Sequence, residues 1–293
     1  MNALVSVVIP VYNVEPYLKE CLDSVSKQDY PNYRVLLVDD GSTDKSGIIC
    51  QEFSKKYGWT YVKNQNRGVS YSRNFSLDYI DTEFISFIDS DDIIPTDYLS
   101  CMFKAQEIED ADVVACPHKE FFSIENLPTN DQQKILKTVA SYDYFRDLLT
   151  RNLPSGMGIA LHNKLFRTNL FTNVRFPEDM VYEDNYTFFD IMNSARRICL
   201  TNETCYFYRK RKDSIVTKIT DKSNHDWIAS ETRMLSQIST KYPDLMNDAN
   251  ARLAESYMVL LYRVLRQPGA KIDQNVRTIQ NKIISYKQDV LHS

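Results

Sequence analysis

Over the first 117 residues, short apolar runs alternate with amphipathic segments, and the main runs stop at polar clusters. Residues 5–9, 35–38, 61–62, 84–88 and 113–116 read as strands. Between them, Tyr17, Leu18, Cys21, Leu22 and Val25 recur at helical spacing, as do Ile48, Ile49, Phe53 and Tyr57. Thr43 or Asp44 is placed to cap the second of these helices. Further helices are predicted over 70–79 and around Tyr98, Leu99, Met102 and Phe103. Such alternation builds an α/β domain, a mostly parallel sheet covered by helices on both faces. Ligands of these sheets bind beyond the carboxyl ends of the strands. The polar clusters after Ile9, Val38 and Ile88 are therefore expected to converge.

The remainder is less regular. Residues 123–137 are polar and read as a loop or excursion. Residues 142–151, 163–171 and 180–197 carry helical patterns, and 206–209 is a short aromatic strand. From Asp226 onward the chain reads as helices, with Pro243 and Pro268-Gly269 as breaks. This divides the chain into a catalytic domain, 1–222, and a helical C-terminal extension, 223–293.

Composition narrows the classes. The 293 residues carry 43% hydrophobic and 25% charged side chains, as a packed globule does. A net charge of −4 argues against nucleic acid as a partner. No run is apolar enough to span a bilayer, and the N-terminus lacks the basic region of a signal peptide. The six cysteines form no CxxC pair, so reduced, buried thiols and a cytoplasmic location are expected.

The chemistry lies in the polar clusters. In Pro10-Val11-Tyr12-Asn13 an aromatic ring just past a strand end can stack on a flat base. In Asp39-Asp40-Gly41-Ser42-Thr43-Asp44, Asp40 is suited to accept from a base imino group, and Asp39 to serve base or ribose. Asn66-Arg67-Gly68-Val69-Ser70-Tyr71-Ser72-Arg73-Asn74 opens a helix with two arginines, an anion site. Phe84 to Ile88 then delivers Asp89-Ser90-Asp91-Asp92. Crowded carboxylates repel one another, and a divalent cation completed by phosphate oxygens relieves them.

Taken in order, these four motifs resemble the family 2 inverting glycosyltransferases of the GT-A fold, which act in bacterial polysaccharide synthesis. The likeness is close over residues 4–117 and looser to about 216. It implies that Pro10, Tyr12 and Asp40 belong to a nucleoside pocket with Asn13 and Asp39 beside them. Arg67 and Arg73 would serve the donor, and Asp89-Ser90-Asp91 would be the DxD motif. Asp91, with Asp89, would ligate Mn2+ or Mg2+. In Val181-Tyr182-Glu183-Asp184-Asn185 it implies the general base, Asp184 first and Glu183 second. Tyr208-Arg209 and Ser214-Ile215-Val216 resemble a motif that closes over the diphosphate, which places Arg209 with the donor. Asn163-Lys164-Leu165-Phe166-Arg167 resembles the segment leading toward the acceptor.

The donor implied is a UDP-sugar. The acceptor implied is a glycan, a lipid-linked one for capsule, exopolysaccharide or O-antigen. A dinucleotide enzyme would need GxGxxG after its first strand, where Pro-Val-Tyr-Asn stands. A nucleotidyltransferase would need a Gly-rich loop there. An inactive nucleotide-sugar-binding or interaction protein on the same fold is the alternative from another class; it is expected to lose Asp91 or the Glu-Asp pair. The basic C-terminal helices leave two readings open. One is packing or a homodimer through Leu253, Tyr257, Leu260, Leu261, Val264 and Leu265. The other is peripheral contact with the inner face of the plasma membrane.

Overall fold

A computed structural model of the protein describes residues 5–128, 135–211, 220–266 and 274–291. It resolves into two compact units. The first comprises residues 1–141, 154–179 and 190–211; the second comprises 142–153, 180–189 and 212–293.

In the first unit the expected alternation appears as β1 (Val5–Val11), α1 (Glu15–Ser26), β2 (Tyr33–Asp39), α2 (Ser46–Tyr57), β3 (Thr60–Lys63), α3 (Val69–Tyr79), β4 (Phe84–Phe87), α4 (Tyr98–Glu109) and β5 (Val113–Ala115). Then come β6 (His118–Phe121), β7 (Leu136–Val139), β8 (Lys164–Arg167), β9 (Ile198–Thr201) and β10 (Tyr206–Arg209). Eight strands form one sheet in the order β3-β2-β1-β4-β8-β5-β9-β7, and β10 pairs with β6 in a second, two-stranded sheet. β1 to β4 run parallel, whereas β8 is antiparallel to both β4 and β5. Val7, Ile9, Val35, Leu37 and Phe84 of the strands pack with Leu18, Leu22 and Val25 of α1 in one apolar core. A continuously apolar strand such as β4, buried along its whole length, is what a sheet covered on both faces requires.

Three local expectations are corrected. Residues 163–171 do not form a helix: 164–167 make strand β8, followed by a 3-10 turn over Thr168–Phe171. Ladder hydrogen bonds to strands on both sides outweigh the local helical spacing. α2 starts later than Thr43 or Asp44 would place it, with no side-chain cap. Asp44 instead accepts from the Ser46 amide at 2.9 Å and the Glu15 amide at 3.0 Å, so it ties two loops. Ile48 and Tyr57 face outward, and Gly47, Cys50 and Phe53 are the buried side of that helix.

The second unit holds most of α5 (Ser141–Leu149), the start of α6 (Glu183–Ser194), and α7 (Asp221–Lys241), α8 (Met246–Leu265) and α9 (Gln274–Leu291). α7 opens with a reciprocal cap between Thr220 and Ser223. Leu253 and Leu260 of α8 are buried, and Tyr257 stacks on Tyr286 of α9 at 5.9 Å. Met258, Val259, Tyr262 and Leu265 stay exposed. Among the described residues no helix is long and apolar enough to cross a membrane. All six cysteines are unpaired thiols, five of them buried.

Candidate active site

The carboxyl ends of β1, β2 and β4 converge, as the topology requires. Past β1, Asn13 adopts a left-handed backbone, φ 49°. Its amide donates to Ser42 Oγ at 3.1 Å, and its Oδ1 accepts from the Thr43 amide at 2.8 Å, locking the first loop to the second. Pro10 lies opposite Val38 in the ladder. The Tyr12 ring is 44% exposed, and its hydroxyl accepts from Asn66 Nδ2 at 2.9 Å. A bulky ring left in solvent at a strand end is a surface for stacking.

The two acids past β2 point inward. Asp39 is fully buried; its oxygens accept from the Ser42 amide at 2.8 Å and the Tyr61 hydroxyl at 2.9 Å. Asp40 accepts from the backbone amides of Arg67 and Gly68 at 2.9 and 2.6 Å. Gly41 completes this junction. Its φ is +77°, and a side chain there would meet the Asn66 amide at 2.8 Å.

The arginines of α3 diverge. The Arg67 guanidinium donates to Glu178 at 2.9 Å and lies 3.8 Å from the Tyr71 ring. Arg73 is buried between the rings of Phe87 and Phe176, with Nη2 3.6 Å from Asp89 Oδ1.

The acidic run past β4 is the electrostatic centre. Asp89 Oδ2 faces His162 Nδ1 at 3.4 Å. Burial works against its charge, yet His162, Arg73 and Arg211 hold its carboxyl below the usual range. Asp91 Oδ2 lies 2.6 Å from Arg211 Nε. Burial pushes the Asp91 carboxyl up, with Arg211 opposing and Asp89 adding to the rise. Asp92 is fully buried, accepting from the Tyr206 hydroxyl at 2.8 Å and the Arg209 amide at 2.7 Å. Burial, then Asp89 and Asp91, drive its carboxyl well above the ordinary range. Ser90 is buried between them. Arg209 bonds the Asp91 carbonyl at 2.7 Å and Glu20 at 2.6 Å, with its guanidinium over Phe121.

Ligand atoms of Asp89, Asp92 and His162 lie within 4.8 Å of one another. The carboxylate oxygens suit Mn2+ or Mg2+, an imidazole ligand favours Mn2+ of the two, and three mutually repelling acids are what such an ion would relieve. The residues present therefore fit a hard divalent cation. Sequence ties neither His162 nor Arg211 to the acids; Arg211 belongs to the basic run Arg209-Lys210-Arg211-Lys212, whose surplus charge suits a lipid-carrier phosphate or an anionic membrane surface. His162 reaches the acids only because β8 inserts beside β4, and Arg211 only because β10 brings the chain back. Buried Lys164 sets the loop before β8: its ammonium donates to the carbonyls of Gly158 and Ala160 at 2.8 and 2.7 Å.

Glu183 and Asp184 belong to the second unit, in the first turn of α6. Tyr182 just before them has a left-handed φ of 68°. The turn is anchored to α7. The Val181 amide donates to Asp226 at 3.1 Å, and Asn185 Nδ2 donates to Ser230 Oγ at 3.0 Å and Glu231 Oε1 at 2.8 Å. Asp184 Oδ1 accepts from the Asn185 amide at 2.8 Å, and Glu183 is buried. Ser214, Ile215 and Val216 lie outside the described residues.

Fold and site together define a GT-A-type α/β protein, with an acidic cluster where the carboxyl ends of its parallel strands meet. The chain belongs to glycosyl transferase family 2, whose profile matches residues 6–174. It is 31% identical over 247 residues to glycosyltransferase GlyA of Streptococcus pneumoniae serotype 4, covering 82% of this chain and 35% of GlyA. Glycosyltransferase GlyG of the same organism is 30% identical over 233 residues, with 74% of each chain covered. The chain thus spans about a third of one relative and three quarters of the other. In fold it is similar to S. aureus TarS residues 1–349, solved with UDP-GlcNAc: TM-score 0.68, 20% identity, 99% of this chain and 90% of that one.

Proposed function

We propose that this protein is a metal-dependent, inverting glycosyltransferase that moves a sugar from a UDP-sugar to an acceptor hydroxyl. The observation that carries the reading is the cluster past β4, where Asp89, Asp91 and Asp92 meet Arg73, Arg211 and His162. The family match supports it, and so does the UDP-GlcNAc held by TarS.

Pro10, Tyr12, Asn13, Asp39 and Asp40 frame the nucleoside, with the exposed Tyr12 ring stacked on the base. Asp89 faces the ribose and donor sugar, Ser90 holds the turn, and Asp91 with Asp89 holds Mn2+ or Mg2+. His162 and Asp92 stand ready as further ligands. A bound divalent cation would neutralise charge developing on the leaving diphosphate. Arg73, Arg209 and Arg67 add fixed positive charge on the donor side. Asp184, or Glu183 in its place, takes the acceptor proton as the hydroxyl attacks the anomeric carbon, and inversion follows from a single displacement. The acceptor is a glycan or lipid-linked glycan of a surface polysaccharide. Residues 1–222 carry the chemistry. Residues 223–293 form a helical extension that makes a homodimer or rests on the inner face of the plasma membrane, the protein being otherwise cytoplasmic.

The test is UDP release from a panel of UDP-sugars, with and without Mn2+, on wild type, Asp91→Asn and Asp184→Asn. Metal-dependent release is expected with one donor and is lost in Asp91→Asn. Asp184→Asn is expected to keep donor binding and lose about 10²- to 10⁴-fold in turnover. Absence of binding to every nucleotide-sugar in the presence of metal would sink the proposal.

A further inference from the structure

We infer that Arg211 is a built-in counter-cation for Asp91, which a divalent ion must displace to reach that carboxylate. This rests on the metal reading proposed above. Arg211 Nε stands 2.6 Å from Asp91 Oδ2, with side chains only 20% and 18% exposed. Among the described residues it is the one cation within ion-pair distance of Asp91. The three acids are served in different ways. Asp89 is shared by Arg73 and His162. Asp92 is satisfied by a tyrosine hydroxyl and a backbone amide. Asp91 has, among the described residues, Arg211 as its ion-pair partner, with Arg209 acting on its charge from farther off.

Two features make this pair exchangeable. First, Arg211 meets Asp91 through Nε on one oxygen and not through a two-pronged fork. Its guanidinium lies 5.5 Å from the Tyr17 ring, a loose cation–π distance. Second, its neighbour Arg209 already holds the strand end, through Glu20, the Asp91 carbonyl and Phe121. Arg211 can leave without unfastening β10. A partly buried carboxylate that feels the charge of two other acids is costly without a cation. Arg211 meets that cost until a metal arrives. The displaced guanidinium then stands beside the site without a carboxylate, as a positive charge suited to a diphosphate. Metal and nucleotide binding are thereby coupled: each favours the arrangement in which Arg211 has left Asp91.

The experiment measures Mn2+ affinity by electron paramagnetic resonance, without and with UDP, on wild type, Arg211→Gln, Arg211→Lys and Asp91→Asn, with thermal melts verifying that each is folded. Without UDP, Arg211→Gln is expected to bind Mn2+ about fivefold or more tightly than wild type. Arg211→Lys, which keeps the charge, is expected to stay near wild type. UDP is expected to tighten Mn2+ binding more in wild type than in Arg211→Gln. Unchanged or weaker Mn2+ binding by Arg211→Gln, with wild type and not Asp91→Asn binding the ion, overturns the inference and leaves the site reading intact. Failure of wild type and Arg211→Gln alike to bind Mn2+, even with UDP, overturns both.

Discussion

Asp40 accepts the Gly68 amide at 2.6 Å, and its other oxygen takes the Arg67 amide, so one buried carboxylate fastens the start of α3 to the end of β2. The same residue thus holds the third loop in place whether or not it also meets a base. Asp40→Ala removes the acceptor shared by two part-buried amides. It is expected to cost about 1–3 kcal/mol in urea unfolding and to weaken nucleotide binding in the same sample. Full stability in Asp40→Ala would show that the loop needs no such anchor.

Lys164 is a second structural lynchpin, this time a cation. Its ammonium is fully buried and donates to two carbonyls of the loop that carries His162. Lys164→Met keeps the length but leaves the carbonyls without a donor. A loss of roughly 2–5 kcal/mol is expected by chemical denaturation, with the His162 ring resonances shifted in NMR spectra of the folded variant. Unmoved His162 signals would separate the loop from the acids.

His118 gives a pH signature. Burial first, then the neighbouring His162 and Lys164, hold its imidazole down to about 4, against 6.5 in an open chain. Between those values the unfolded chain binds the proton and the folded one does not. Stability from this group is therefore complete above pH 6.5 and is lost as pH falls toward 4. His118→Asn is expected to flatten that part of the melting-temperature profile. A wild-type slope that persists in the variant would assign it to other groups.

The thiols are expected to be inert in the folded protein. Burial lifts Cys50 to about 12 and Cys199 and Cys205 to about 11, and burial with Asp97 lifts Cys101 to about 11. Little thiolate exists at pH 8, and five of the six are buried. Mass spectrometry after a short iodoacetamide pulse should find the native chain essentially unmodified and the urea-unfolded chain alkylated at all six. Rapid native labelling at Cys21 or Cys116 would mean that the core around β4 opens.

Much of this was legible in sequence because it is local. β1 to β5 and the helices between them follow from apolar runs and helical spacing, and the placing of the loops that carry Asn13, Asp40 and Asp89 at one end of the sheet follows from the topology those elements impose. What stayed hidden depends on strands arriving from far away. β8 resembled helix because four residues carry too little periodicity to decide, and its identity is fixed by partners on either side. β9, adjacent to β5 in the sheet, begins just past the segment read as helix over 180–197, and its four residues carry too little pattern to mark a strand. His162 and Arg211 reach the acids along β8 and β10, so no spacing in the chain marks them. Asp39, read as serving base or ribose, also accepts from Ser42 and Tyr61, contacts that no spacing in the chain marks.

The position of β8 also bears on how the protein is made. β4 and β5, only some 25 residues apart in the chain, are not neighbours in the sheet; β8 lies between them. A nascent chain that has reached Ala115 therefore has β1 to β5 but a gap where residues 164–167 must enter. Until they do, β4 keeps an open edge with apolar side chains on both faces, the kind of surface that pairs with the wrong chain. Arrest during synthesis just short of Arg167 should leave a chaperone-bound, protease-sensitive species, and the first unit should close only once β9 and β10 have followed.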